Sequence, residues 1–175
     1  KVASGDINNF ELLREISKTK KKTILSTGMT NQEEIGRALK FFDKKKVSIL
    51  HCISSYPTNH IDANLININF LKKKYKVKTG YSDHVPGIQA SINASLLGAE
   101  IIEKHFMPKT TKLAGDYSLS VNESSLKKMI DQIKMNHLMI GQYRSGTYGC
   151  EKYFKNTLKR SIYYSNNFKK GHKIK

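Results

Sequence analysis

The chain has 175 residues, 38% of them hydrophobic, enough for one domain with a real core. It carries 31 Lys+Arg against 14 Asp+Glu, a formal net charge of +17, and two cysteines. No apolar run approaches the length of a membrane span, no signal-peptide pattern is visible, and Cys52 and Cys150 make no disulfide framework, so a reducing, cytoplasmic setting is expected.

In chain order, "KVAS" opens the sequence and an apolar stripe of Phe10, Leu12, Leu13 and Ile16 predicts the first helix. The strand-length run "TILS" follows at 23–26. A helix start at Thr30 or Asn31, with Glu33 and Glu34 behind it, leads into Ile35, Leu39 and Phe42. "VSILHC" at 47–52 reads as the next strand and Leu65, Ile68 and Leu71 as the next helix. "VKTGYS" at 77–82, an apolar helical stretch over Ile88 to Leu97 and "EIIEKHF" at 100–106 continue the alternation. A longer helix is expected from about Asn122 to Ile140, with Gly141 as its stop.

The charge invites a nucleic-acid reading. Its distribution argues otherwise, because the triplets Lys20–Lys22, Lys44–Lys46 and Lys72–Lys74 each follow a helical stretch and precede an apolar run. Cations there suit the negative end of a helix dipole. Only the tail from Gln142, with nine basic residues and one acid, is a plausible charge-driven contact.

Alternating strand and helix with a period in the twenties implies parallel strands joined by crossovers, either an open doubly wound sheet or a (β/α) barrel. The first would usually carry a glycine-rich phosphate loop after a strand, and "STGMT" at 26–30 has one glycine. The strand ends favour the barrel. Ser4 follows "KVA", Ser26 follows "TIL", Ser54 follows "LHCI", Ser82 follows "TGY" and His105 ends "EIIEK". Five polar residues at successive C-terminal strand ends converge on one barrel mouth, where such folds keep their active sites.

His84 and His105, at the ends of adjacent strands, are candidate ligands of one divalent cation: Mn²⁺, Fe²⁺ or Zn²⁺. A single histidine is more often structural, and His51, inside "SILHC", reads as a packed core residue. Asp116, in "KLAGDYS", could hold a carboxylate over a substrate as base or hydroxyl anchor, although Asp in such a loop is usually turn chemistry. Glu103 alternates with His105 and shares its inward direction, with Lys1 or Lys104 available as partner. Lys1 with Ser4, Ser26, Ser54 and Ser82 suits a phosphate or carboxylate.

The stretches "KVASGDINN", "ILSTGM", "HCISSYPT", "GYSDHVPG", "GAEIIEKHF" and "AGDYS" resemble, in order and spacing, the N-acetylneuraminate synthase family, including the legionaminate synthases. The resemblance covers nearly all of residues 1–141 and implies the C-terminal portion of a (β/α)8 TIM barrel, from the end of its fourth strand to its eighth. It assigns residues 142–157 to a linker and 158–175 to the start of an antifreeze-like (SAF) domain, so that "RSIYYSNNFKKGHKIK" is expected to hold an isolated strand with "NNFKKG" as a turn. It also implies condensation of phosphoenolpyruvate with an N-acetylated hexosamine to a nonulosonic acid and phosphate, with Mn²⁺ held by His84 and His105. By the same resemblance Lys1, Ser4, Ser26 and Ser82 hold phosphoenolpyruvate, Tyr56 and Asp116 face the amino sugar, and Lys1 and Asp116 are the catalytic pair. Asp6 stands where sialic acid synthases commonly have Glu, and Ser54 where some have Asn. Both departures lie by the substrates and tilt the expected acceptor from N-acetylmannosamine towards its 2,4-diacetamido-6-deoxy analogue. A domain-swapped homodimer is implied for the full-length protein.

Two other readings stay open at this point: another phosphoenolpyruvate- or aldehyde-condensing barrel, and a basic nucleic-acid-binding module. A barrel portion that begins at the fourth strand leaves two sheet edges, so the chain by itself is expected to associate and to lack activity.

Overall fold

The computed structural model describes residues 1–111 and 115–173, in two compact units, Lys1–Ile140 and Gly141–Lys175. In the first unit, α1 (Phe10–Lys18) starts where the Asn9 side chain accepts a hydrogen bond from the Leu12 amide, and it buries Leu13. Next come β1 (Thr23–Ser26) and α2 (Gln32–Leu39). Asn31 and Glu34 cap α2 reciprocally, each side chain accepting from the other's backbone amide. After β2 (Val47–Cys52) and α3 (Asn67–Tyr75) follow β3 (Lys78–Asp83), α4 (Gln89–Leu96), β4 (Ile102–Lys104) and α5 (Glu123–Ile140), with Gly141 next in sequence.

Two boundaries differ from expectation. Lys72–Lys74 form the last turn of α3 rather than following it, the position in which their charge best meets the helix dipole. β4 holds three residues of the expected seven, and pairing resumes only as a parallel bridge between Phe106 and Val121.

The four strands are all parallel, in the order β1-β2-β3-β4, and a bridge from Val2 to Leu25 extends the pairing beyond β1. Register and alternation sort the strand residues onto two faces. Leu25, Ile49, His51, Tyr81 and Ile102 fall on one face, where they meet Leu13, Ile35, Ala38 and Leu71 of the helices and the small residues Ala90 and Ala94 of α4. Ser26, Leu50, Cys52, Gly80 and Ser82 fall on the other. The helices cover only the first face. A doubly wound sheet carries helices on both, so the one-sided cover among the described residues is consistent with part of a barrel. Gly80 is required on the inner face, since a Cβ there would stand 2.3 Å from the Ile101 carbonyl oxygen.

The second unit contains α6 (Lys152–Leu158) and no strand among its described residues. The strand expected over "RSIYYSNNFKKGHKIK" is not formed in its described part; Ile174 and Lys175 lie outside the described residues. Ile162 is fully exposed at 102%. An isolated strand has no neighbour to pair its amides and carbonyls, so the sequence's β propensity has nothing to act on. No helix among the described residues is long and apolar enough to cross a membrane.

Candidate active site

The inner face and the strand ends above it gather the predicted polar residues in two groups. The first is built on Lys1 and the serines. Glu103 lies directly across from Ser82 in the β3–β4 register, and its Oε1 accepts from Ser82 Oγ at 2.7 Å and from Lys1 Nζ at 3.0 Å. Burial pushes the Glu103 carboxyl up, but the hydrogen bonds from Ser82 and Lys1 outweigh it and hold the group below its ordinary value. Of the two partners foreseen for Glu103, Lys1 is the one it takes.

Ser4, in a 3₁₀ turn over Ser4–Asp6, accepts from the Gly28 amide at 3.0 Å. Gly28 must lack a side chain, because a Cβ would stand 2.3 Å from Ser54 Oγ and 2.8 Å from Ser4 Oγ. The hydroxyls of Ser26 and Ser54 are buried with no hydrogen-bond partner among the described residues. A buried hydroxyl without a partner carries a desolvation cost that a bound oxyanion would relieve. An ammonium and several hydroxyls at neighbouring strand ends are the kind of groups that bind a phosphate or carboxylate.

The second group is aromatic. The His84 and His105 rings are 5.2 Å apart between centroids at 70°, and Tyr56 lies 4.2 Å from His84 and 5.9 Å from His105. His84 Nδ1 is 2.8 Å from the Ile53 carbonyl, to which it must donate, so Nε2 is left as the free lone pair. His105 Nδ1 is 3.3 Å from Asp116 Oδ2. Burial pulls the His84 imidazolium down, yet Cys52 and the Ile53 carbonyl outweigh it and the net shift is upward. Burial pushes the Cys52 thiol up, while His84, Ser4 and Ser82 more than offset this and leave it lowered. Burial, then the charges of Cys52, Asp116 and Glu103, raise the Tyr56 phenol.

Among the described residues no cluster of three or more His, Cys, Asp or Glu could hold a metal ion. The two histidines are compatible with holding one: the Nδ1 of His84 is engaged by the Ile53 carbonyl and that of His105 lies 3.3 Å from the Asp116 carboxylate, contacts that orient an imidazole ligand, and the ring centroids are 5.2 Å apart.

Of the ten predicted residues, Lys1, Ser4, Ser26, Ser54 and Ser82 therefore fall in the ammonium and hydroxyl group and Tyr56, His84, His105 and Asp116 in the aromatic group. Asp6 is exposed, two residues past Ser4, and makes no hydrogen bond or ion pair to the others among the described residues. Asp116 sits in a 3₁₀ turn over Gly115–Leu119, while Ala114, which opens the "AGDYS" stretch, and Lys112 and Leu113 lie outside the described residues. His51 is the packed residue expected, its Nε2 2.8 Å from the Ala63 carbonyl. A cleft lined by Met29, Asn31, Glu34 and Phe70, which reaches Cys52 and Ile53 beside His84, contains none of the ten. Gly28, Glu103 and Cys52 were absent from the predicted set. The strand parity that placed Glu103 inward applies equally to Cys52, and only the folded loop reveals Gly28.

Parallel strands covered by helices on one face, with polar groups gathered at their C-terminal ends, are an α/β arrangement consistent with part of a TIM barrel. The chain belongs to the NeuB family, whose pattern matches residues 1–145. It is 35% identical to an N,N'-diacetyllegionaminic acid synthase of Campylobacter jejuni, over 98% of this chain and 53% of that protein. It is 37% identical to a pseudaminic acid synthase of the same species, over 98% of this chain and 50% of that protein. The crystal structure of an N-acetylneuraminic acid synthetase from Leptospira borgpetersenii, in complex with citrate, superposes with a TM-score of 0.79 at 36% identity, covering 91% of this chain and 57% of that one. The chain thus spans about half the length of the curated relatives it matches, and its curled four-stranded sheet is consistent with part of a TIM barrel.

Proposed function

We propose that this chain supplies the phosphoenolpyruvate- and metal-binding strand ends of a nonulosonic acid synthase, which joins phosphoenolpyruvate to the open-chain aldehyde of an N-acetylated hexosamine and releases phosphate. The observation that carries the reading is the pair of buried hydroxyls, Ser26 and Ser54, which have no partner among the described residues and lie at strand ends that also carry Lys1, His84 and His105. An anionic substrate supplies what those hydroxyls lack.

In this reading Lys1 and the hydroxyls of Ser4, Ser26, Ser54 and Ser82 bind and neutralise the phosphate and carboxylate of phosphoenolpyruvate. Glu103 keeps Lys1 and Ser82 in place between turnovers. A divalent cation held by His84 and His105, Mn²⁺ being the expected one, would supply Lewis-acid polarisation of the sugar's carbonyl oxygen. Tyr56 packs against both imidazoles and offers an aromatic wall to the sugar. Asp116, 3.3 Å from His105 Nδ1, would hold a proton at the new hydroxyl. The carbon–carbon bond forms between C3 of phosphoenolpyruvate and the aldehyde carbon; water adds at C2, and phosphate leaves with its bridging oxygen.

The acceptor stays open. Legionaminic and pseudaminic acid synthases are 35% and 37% identical to this chain, and the sialic acid enzyme of known structure is 36% identical. The test is metal-dependent phosphate release from phosphoenolpyruvate by the complete protein, with N-acetylmannosamine and with its 2,4-diacetamido-6-deoxy analogue. Release with either supports the reading, and the preferred sugar names the acceptor. No release from phosphoenolpyruvate with any N-acetylated hexosamine, in a folded protein supplied with Mn²⁺, refutes it.

A further inference from the structure

Asp83 and Lys104 take no part in the site above, yet each immediately precedes one of its imidazoles in sequence. They are register partners across β3 and β4, and their side chains meet on the helix-covered face, 0% and 2% exposed, with Nζ 3.2 Å from Oδ2. Asp83 is fully engaged: Oδ1 accepts from the Val85 amide at 2.8 Å, and Oδ2 also accepts from Ser91 Oγ of α4 at 2.6 Å. The Lys104 ammonium donates in addition to the Val85 carbonyl. The network therefore fixes the backbone on both sides of His84, at 83 and at 85, and ties it to the strand that delivers His105.

Burying two charges is a poor way to gain stability, since desolvation consumes most of the attraction, and two apolar side chains would fill the same space. What an apolar pair would not do is fix the axial offset of two strand ends. β4 needs that service, because its regular pairing is only three residues long and ends at Lys104 itself. Strand alternation then sends the next residue of each strand, His84 and His105, towards the opposite face.

We propose that Asp83 and Lys104, with Ser91 behind them, are positioning residues that set the separation of the His84 and His105 rings and so the affinity of the site for a divalent cation. The inference rests on the reading of those histidines as ligands, and the experiment separates the two. Mn²⁺ affinity is measured by calorimetry on the complete protein and on His84→Ala, Lys104→Met, Ser91→Ala and Lys72→Met, with melting temperatures taken in metal-free buffer. Outer-shell partners of a metal site are worth about 10–100-fold in affinity, so Lys104→Met should weaken Mn²⁺ by that order. Ser91→Ala, which removes one hydrogen bond and strands no charge, should weaken it less and in the same direction. Lys72→Met removes a cation paired with Glu100 at the surface and should change nothing, which separates geometry from net charge.

A Lys104→Met protein that melts lower but binds Mn²⁺ like the wild type makes the pair merely structural and overturns the proposal. If Lys104→Met does not fold, Ser91→Ala decides, and unchanged affinity there overturns it equally. A crystal structure of either variant with the rings still 5.2 Å apart would do the same. Wild-type Mn²⁺ binding that survives in His84→Ala removes the ligand reading instead, and the positioning role falls with it.

Discussion

Two polar networks lie back to back across β3 and β4, and they differ in how completely they are satisfied. On the helix-covered face Asp83, Lys104, Ser91 and the Val85 backbone use one another up: the aspartate accepts two hydrogen bonds and pairs with the ammonium, which also reaches a carbonyl. On the inner face Glu103 binds Lys1 and Ser82, but Ser26 and Ser54 keep buried hydroxyls with no partner. Burial pulls the Lys104 ammonium down while Asp83 opposes it, the balance expected of a closed pair. A closed network spends its hydrogen-bonding capacity within the fold, whereas an open one keeps capacity for a ligand at a cost in stability. The same strand thus carries a structural polar residue and a functional one in succession, and burial alone does not tell them apart.

The strongest way to break this contrast is to remove a residue of the open group that the ligand needs most. His84→Ala or His105→Ala should lower metal-dependent phosphate release by at least about 10²–10³, what one lost electrostatic contact to a developing charge costs. Both are strand-end residues outside the apolar clusters, so circular dichroism should show the fold kept. Release at near wild-type rate would remove both histidines from the mechanism.

Gly28→Ala should come next. Its Cβ would press on Ser54 Oγ and Ser4 Oγ at 2.3 and 2.8 Å, displacing both hydroxyls together. Two lost hydrogen bonds to a charged ligand, at about 1.5 kcal/mol each, raise KM for phosphoenolpyruvate about a hundredfold. An unchanged KM would mean that the anion binds elsewhere.

Ser26→Ala and Ser54→Ala sharpen the contrast in the other direction. Neither hydroxyl has a partner among the described residues, so each variant should be as stable as the wild type or slightly more so in the absence of substrate. Each should nevertheless weaken phosphoenolpyruvate about tenfold, the value of one hydrogen bond to a charged group. A loss of ligand-free stability above about 1 kcal/mol in thermal melts would show that these hydroxyls are satisfied in the folded protein and that the network is closed. Replacing Lys44–Lys46 with glutamine, just before β2 at the opposite end of the strands, should change turnover by no more than about twofold, the range of ordinary surface substitutions.

Much of this was legible in the sequence, because strand alternation is a strong rule. The serines and histidines at the strand ends were placed by it, as was the inward direction of Glu103. Register is another matter. Which residue of β4 stands opposite Asp83 depends on how β3 and β4 are offset, and no local pattern states that. Lys104 was therefore open as a partner for Glu103 when its partner is Asp83. Asp83 itself, flanked by two site residues in "SDH", looked equivalent to them, and only its parity with Tyr81 on the covered face separates it. The strand expected in the tail failed for a related reason. Propensity is local, but a strand exists only with a neighbour to pair it, and residues 159–164 have none among the described residues.

The smallest expected effect lies in a closed network at the surface, the Asn31–Glu34 cap of α2. Glu34 Oε2 accepts from the Asn31 amide at 2.7 Å and Oε1 from Asn8 Nδ2 at 2.8 Å. These two hydrogen bonds, the Asn31 amide first, hold the carboxyl below its ordinary value of 4.5, and Arg37 adds a smaller pull the same way. A carboxyl lowered in the folded state contributes stability that is present above its unfolded value and is lost as pH falls through the lower folded value. Glu34→Gln can still accept from the Asn31 amide, so the two proteins should melt alike in acid. They should separate as pH rises past about 4.5, the wild type melting higher. Phosphoenolpyruvate affinity should be unchanged throughout, because a closed surface cap has no capacity left to offer a ligand. A Glu34→Gln protein with altered affinity would extend the open network to α2 and undo the division between the two kinds of polar group.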